Sequence, residues 1–211
     1  MLVTKIQKIR RQRNRYEIFL DEKPAFQVSE SVVAKAGLFT GKHLDEEAVE
    51  KIVTADSRER AHQIAVNFIS YRPRSSKEII DKLSRKGFAE DLIRAVVDKL
   101  RELLLINDLE FARMFVRDKL RGKPMGRALL RRKLHEKGIS YQSAEHVLNE
   151  CVTEESEQEA AKTLATRKLE MSRTRFSKLD PAVRQKRLAD YLLNRGFSGE
   201  VAYKTARSII R

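Results

Sequence analysis

The sequence predicts a mainly α-helical protein: an elongated tandem array of three three-helix repeats, preceded by a small N-terminal β-meander plus short helices. Three observations predict it. A short tune recurs at roughly fifty-residue intervals, as LSRKGF (83–88), LHEKGI (134–139) and LLNRGF (192–197). The apolar residues that follow each glycine of the tune share one register. The composition also fits, because 35% of the 211 residues are charged and 41% hydrophobic, with only 8 Gly and 4 Pro. Such a chain suits helices packed along narrow apolar stripes.

Residues 1–56 read as a separate N-terminal module. VTKIQKI (3–9), RYEIFL (15–20) and AFQV (25–28) have the alternation and the β-branched and aromatic content of short strands. Asn14 and DEKP (21–24) supply the turns. SESVVAKAG then runs from an N-cap Ser29 to a terminating Gly37, and LDEEAVEKIV (44–53) opens with acids suited to the start of a second short helix.

Repeats are expected over 57–106, 107–152 and 153–211. Each opens on an apolar-periodic helix, within 58–71, 107–120 and 154–171. The pairs Ala61 and Ala65, Ala112 and Val116, and Ala161 and Ala165 let neighbouring helices approach closely. A second helix carries Ile79 and Leu83, Leu130 and Leu134, or Leu188 and Leu192, four residues apart on one face. Gly87-Phe88, Gly138-Ile139 and Gly196-Phe197 end it, because glycine enters the left-handed region cheaply and the next side chain folds back on the last turn. Ser140 and Ser198 cap the third helices, with Ala89 a weaker counterpart. The face of the third helix reads Ile93, Val96, Val97, Leu100 in one copy. It reads Ala144, Val147, Leu148, Cys151 and Ala202, Thr205, Ala206, Ile209 in the others. Cys151 thus occupies a core slot as a small hydrophobe, not a nucleophile. Repetition at this period implies units that lean on their neighbours and present a long face instead of a pocket.

One cysteine excludes an intrachain disulfide framework and any multi-cysteine metal site. The basic start MLVTKIQKIRRQRNR has no apolar core of a secretion signal, and the longest apolar run, LLLI (103–106), is too short to cross a bilayer. A soluble cytoplasmic protein is expected. The net charge of +14 points to nucleic acid, acidic protein surfaces or a nucleoprotein. No single tail holds the excess: only 29–56 is acidic, with 3 Lys+Arg against 6 Asp+Glu, and every other segment is basic.

KEIIDKLSRKGF (77–88), INDLEFARMFV (106–116), LRRKLHEKGI (130–139) and LADYLLNRGF (188–197) make residues 57–211 resemble the RecX regulatory proteins of bacteria. YEIFLDEKPAFQVSE (16–30) looks like the longer N-terminal arm of some members, and the third repeat differs in its stretched connector. The resemblance implies a non-enzymatic modulator that binds RecA filaments on single-stranded DNA and suppresses their ATPase and strand exchange, so restraining recombination and repair. Its partners are then the RecA filament and single-stranded DNA, with weak double-stranded DNA binding compatible. No cofactor and no membrane are implied, and the chain is expected to be a monomer.

Basic residues gather where each first helix gives way to the second: Arg72, Arg74 and Lys77; Arg121, Lys123 and Arg127, with Arg131 a turn later; Arg173, Arg175 and Lys178. Beside the free N–H groups of a helix N-terminus they would form three anion sites along one edge. The alternative for each is a solvated helix face. In KIRRQRNRY (8–16), Arg10, Arg11, Arg13 and Arg15 are candidates for DNA backbone contacts. Alternate charges that blunt an edge strand would look the same, and Tyr16 fits a half-buried strand better than a stacking platform.

Other signals lead nowhere. GLFTGKH (37–43) has three residues between its glycines where a phosphate loop needs four, and His43 stands where a hydroxyl belongs. His43, His62, His135 and His146 lack metal-ligand spacing, and no catalytic constellation is visible, so neither catalysis nor a metal is expected. A rival reading makes each Gly-joined helix pair a helix-turn-helix. The recognition-helix starts AEDLIRAVV, SYQSAEHVL and SGEVAYKTA are poor in Arg and carry acids, which argues against base reading.

Overall fold

A computed structural model describes residues 1–10, 14–172, Thr174, Phe176 and 179–210. The chain forms two compact units, Met1–Arg72 with Ile79–Glu102, and Pro73–Glu78 with Leu103–Arg211.

The first unit opens with β1 (Val3–Lys8), β2 (Arg15–Leu20) and β3 (Lys23–Ser29). They form an antiparallel sheet in the order β1-β2-β3, as the alternation predicts. Asp21 and Glu22 both have positive φ, +46 and +65, which is the twist a two-residue hairpin needs. Val3, Ile18, Leu20 and Val28 face a core closed by Val32, Leu38, Leu44 and Ile52, and Tyr16 packs against it. Helix α1 (Glu30–Lys35) follows. Lys42 Nζ donates to the carbonyls of Ala36 (2.6 Å) and Gly37 (3.0 Å) just after it. The lysine of the apparent phosphate loop thus serves its own backbone.

The expected short helix at 44–53 and the expected first repeat helix at 58–71 are one continuous helix, α2 (Glu46–Ser70), capped by Asp45. VTADSRER contains no Gly or Pro to break it, and Asp56 in its middle is buried in a partnership described below. Helices α3 (Ser76–Ser84) and α4 (Glu90–Glu102) complete the first repeat.

The second repeat consists of α5 (Asp108–Gly122), α6 (Arg127–Glu136) and α7 (Tyr141–Cys151). The described helices of the third are α8 (Glu154–Met171), α9 (Pro181–Asn194) and α10 (Gly199–Ile209). Ser140 and Ser198 accept from the N–H groups of Ser143 (3.1 Å) and Val201 (3.2 Å), as N-caps should. Each glycine turn is the same motif. Gly87, Gly138 and Gly196 lie at φ +80, +81 and +86. The N–H after each glycine reaches back to Leu83, Leu134 or Leu192 at 3.0–3.3 Å.

The predicted core faces are buried in all three repeats, including Ile79, Leu83, Leu130, Leu134, Leu188 and Leu192, except that Ile209 is half-buried and its neighbour Ile210 is buried in its place. The small pairs of the first helices are buried with them. Cys151 is half-buried against the second core, less enclosed than its register suggested.

Candidate nucleic-acid interface

The first basic corner surrounds the start of α3. Arg72 and Lys77 are exposed and Arg74 is half-buried. Buried Ser75 and half-buried Glu78 exchange backbone-to-side-chain hydrogen bonds of 3.3 and 3.4 Å, a capping-box arrangement. The Ser76 N–H donates to Asp108 Oδ1 of α5 at 2.7 Å. Lys137 Nζ, just ahead of the Gly138 turn, donates to Glu78 Oε1 at 2.6 Å. A Cβ on Gly138 would lie 2.6 Å from Lys77 Cβ, so the turn is pressed against the first turn of α3.

The second corner repeats the device. The Arg127 N–H donates to Glu157 Oε1 of α8 at 3.1 Å. Gly126 N–H and Ala128 N–H donate to the carbonyls of Arg195 (2.9 Å) and Gly196 (3.0 Å). A Cβ on Gly196 would lie 2.4 Å from the Leu129 backbone nitrogen, and one on Gly126 2.2 Å from Gly196 carbon. Ser76 and Arg127 stand three residues before the buried Ile79 and Leu130, and Asp108 and Glu157 four before Ala112 and Ala161. The carboxylate that finishes one repeat's second helix therefore comes from an equivalent position on the next repeat's first helix.

This corrects the expectation of free helix N-termini. Buried terminal amides require acceptors, and at both corners acids and carbonyls of the same chain supply them. Glu145 likewise engages the side chains, accepting from Arg131 Nε and from Arg127 Nη2 at 3.5 Å. Arg127 also donates to Asn149 Oδ1, and the Arg131 guanidinium sits 5.6 Å from the Tyr141 ring centre. Arg121 and Lys123 are exposed. Arg173, Arg175 and Lys178 of the third corner lie outside the described residues, as do Arg11 and Arg13 of the N-terminal run.

Arg10 is exposed at the end of β1. Arg15 is committed to the fold, with Nη1 donating to Asp56 Oδ2 and Nη2 to the Gln27 carbonyl, both at 2.8 Å. Ser29 N–H donates to the other Asp56 oxygen at 2.7 Å. Of the predicted residues, Arg10, Arg72, Lys77, Arg121 and Lys123 thus present exposed cationic side chains, while Arg15, Arg127 and Arg131 are held by acids. Asp108, Glu145 and Glu157 are the residues that sequence reasoning missed. Their one legible sign is that Asp108 and Glu157 share a register. Among the described residues no cluster of three or more His, Cys, Asp or Glu is set to hold a metal ion, and no helix is long and apolar enough to cross a membrane.

Burial pushes the Glu145 carboxyl up, but the hydrogen bond from Arg131 and the charges of Arg131 and Arg127 outweigh it, and the group is held below its ordinary value. A carboxylate lowered by folding stabilises the fold above its unfolded pKa of about 4.3. That contribution is lost as pH falls through the folded value. Glu145→Gln should lower the melting temperature at neutral pH and flatten its decline below about pH 4.3. Equal acid slopes for parent and variant would show that Glu145 is not part of this balance.

Four family profiles match the chain: "Regulatory protein RecX N-terminal domain" over residues 1–45, and the first, second and third three-helix domains of RecX over 61–100, 107–148 and 154–205. A regulatory protein RecX of Listeria monocytogenes serotype 4a (strain HCC23) is 34% identical over 206 residues, 98% of this chain and 74% of the relative. One from Limosilactobacillus reuteri (strain DSM 20016) is 32% identical over 201 residues, 94% of this chain and 74% of its own. A crystal structure of regulatory protein RecX superposes with a TM-score of 0.73 at 30% identity, covering 98% of both chains. RecX from Lactobacillus salivarius gives 0.65 at 30% identity over 74% of this chain and 97% of that one.

Proposed function

This chain belongs to the RecX family of regulatory proteins, and from that premise we propose that it binds RecA–single-stranded DNA filaments in the cytoplasm and inhibits their ATPase and recombinase activity. The likeness to regulatory RecX proteins across nearly the whole chain carries the reading. The charge of +14 supports it, since both phosphates and acidic protein surfaces attract such a chain. Exposed Arg10, Arg72, Lys77, Arg121 and Lys123 are the contacts we put first, with half-buried Arg74 beside them. Several weak electrostatic contacts on one monomer add through multivalency, with no cofactor and no catalysis.

The deciding experiment follows DNA-dependent ATP hydrolysis by RecA, with the protein added before or after filament assembly. A lowered rate is expected in both orders, and no change in either overturns the proposal. Reversing charge at Arg72, Arg74, Arg121 and Lys123 together should weaken filament binding and make its salt slope shallower by about one for each phosphate no longer neutralised. Parent-like binding at every salt concentration would remove these residues from the interface. Tighter binding to naked duplex than to the filament would favour a DNA-binding protein instead.

A further inference from the structure

In the first compact unit an apolar groove of about 590 Å³ runs along α2, between α1 and α4. Its floor is buried Val32, Ile52 and Val96, and its walls include Ala36, Ala55 and Ala95. The α2 residues that line it recur at helical spacing from Lys51 to His62, a face about 16 Å long at 1.5 Å per residue. Alanine walls leave room for a helix backbone to approach at the usual 8–10 Å or so. A groove of this form, three turns long and open along its length, takes a helix laid in it with side chains at i, i+3 or i+4, and i+7 as anchors.

The rim selects the partner's charge. Lys35, Lys51, Arg58 and Lys99 line the groove, against Glu59 as its one acidic lining residue, with His62 beside it. Glu59 is already occupied: the Ser31 hydroxyl donates to one oxygen and Lys35 Nζ to the other. Lys51 pairs with Glu47 and Lys99 with Glu102. These pairs lie at the surface, where such contacts are worth about 0–1 kcal/mol, so the lysines can turn to a partner's carboxylates at little cost. Arg58 has no ion pair among the described residues.

We propose that this groove is a docking site for an acidic amphipathic helix of a partner protein, with apolar anchors on Val32, Ile52 and Val96 and carboxylates on Lys51, Arg58 and Lys99. The site is distinct from the basic corners and does not depend on the filament reading.

The test uses the full chain and a fluorescein-labelled synthetic peptide of about 18 residues, long enough to hold some helix alone. Leucines occupy one face and glutamates the other. Fluorescence anisotropy should show saturable binding that weakens with salt. A peptide with lysines in place of the glutamates should bind at least about tenfold more weakly. Ala55 and Ala95 are exposed, so Ala55→Trp and Ala95→Glu block the groove without disturbing the core, and each should weaken binding about tenfold or more. The double reversal Arg58→Glu with Lys99→Glu should weaken the acidic peptide and strengthen the lysine peptide. Circular-dichroism melts confirm that each variant is folded. The proposal is overturned if the acidic peptide does not bind, if Ala55→Trp and Ala95→Glu leave its affinity unchanged, or if laurate below its micelle concentration binds with those sensitivities and the peptide does not.

Discussion

Gly196→Ala is expected to destabilise the second compact unit by about 2–5 kcal/mol, while Gly87→Ala costs the first only about 1–2 kcal/mol. Both glycines lie in the left-handed region, at φ +86 and +80, so an L side chain is strained at either. They differ in what a Cβ would meet. At Gly87 nothing lies within 4 Å, whereas at Gly196 the Leu129 Cβ and backbone nitrogen stand at 2.4 Å. Backbone cannot turn aside as a flexible side chain can. Gly126→Ala isolates the second effect, because its φ of −72 suits any residue while its Cβ would meet Gly196 backbone at 2.2 Å. A cost of about 1–3 kcal/mol is expected there. Urea unfolding followed by circular dichroism, fitted separately for the two units, measures all three. Equal losses at Gly87 and Gly196 would mean that the Gly196 turn does not press on the start of α6.

Arg15→Ala should cost about 3–5 kcal/mol, the range for breaking a buried ion pair. The side chains of Arg15 and Asp56 are 16% and 3% exposed, and among the described residues the variant leaves the Asp56 carboxylate with only the Ser29 N–H. Replacing both partners, Arg15→Met with Asp56→Leu, should recover much of the loss, because no charge is then left stranded. A single variant within about 0.5 kcal/mol of the parent would show the pair to be dispensable. The pair also bears on any binding assay. A fall in DNA or filament affinity on mutating Arg15 would report a loosened sheet, so Arg10 is the better probe of the N-terminal run.

Local rules made much of this fold legible. Gly87, Gly138 and Gly196 had one reading as helix ends, and the stripes at Ile79, Leu130 and Leu188 could face only a core. Strand alternation placed Tyr16 correctly against it. The misreadings arose where a partner lies far along the chain. Asp56 looks like a surface acid in a charged stretch, and its contacts with Arg15 and the Ser29 N–H, both far back along the chain, let it be a buried one in the middle of α2. Asp108 and Glu157 look like acids that favour the start of their own helices. A carboxylate that serves a neighbour's amide is spelled the same way. The basic corners were legible as charge. That their amides were already taken was not.

The shared register of those two acids gives the array a polarity. The start of α3 is completed by Asp108 and that of α6 by Glu157, each downstream, whereas at α9 Asp180 accepts from the Ala182 N–H at 2.8 Å and Pro181 has no N–H to satisfy. Dependence therefore flows from earlier sequence to later. As the chain emerges during synthesis, α3 and α6 each gain their last acceptor only with the segment made next, whereas Asp180 and Pro181 finish the start of α9 from its own sequence.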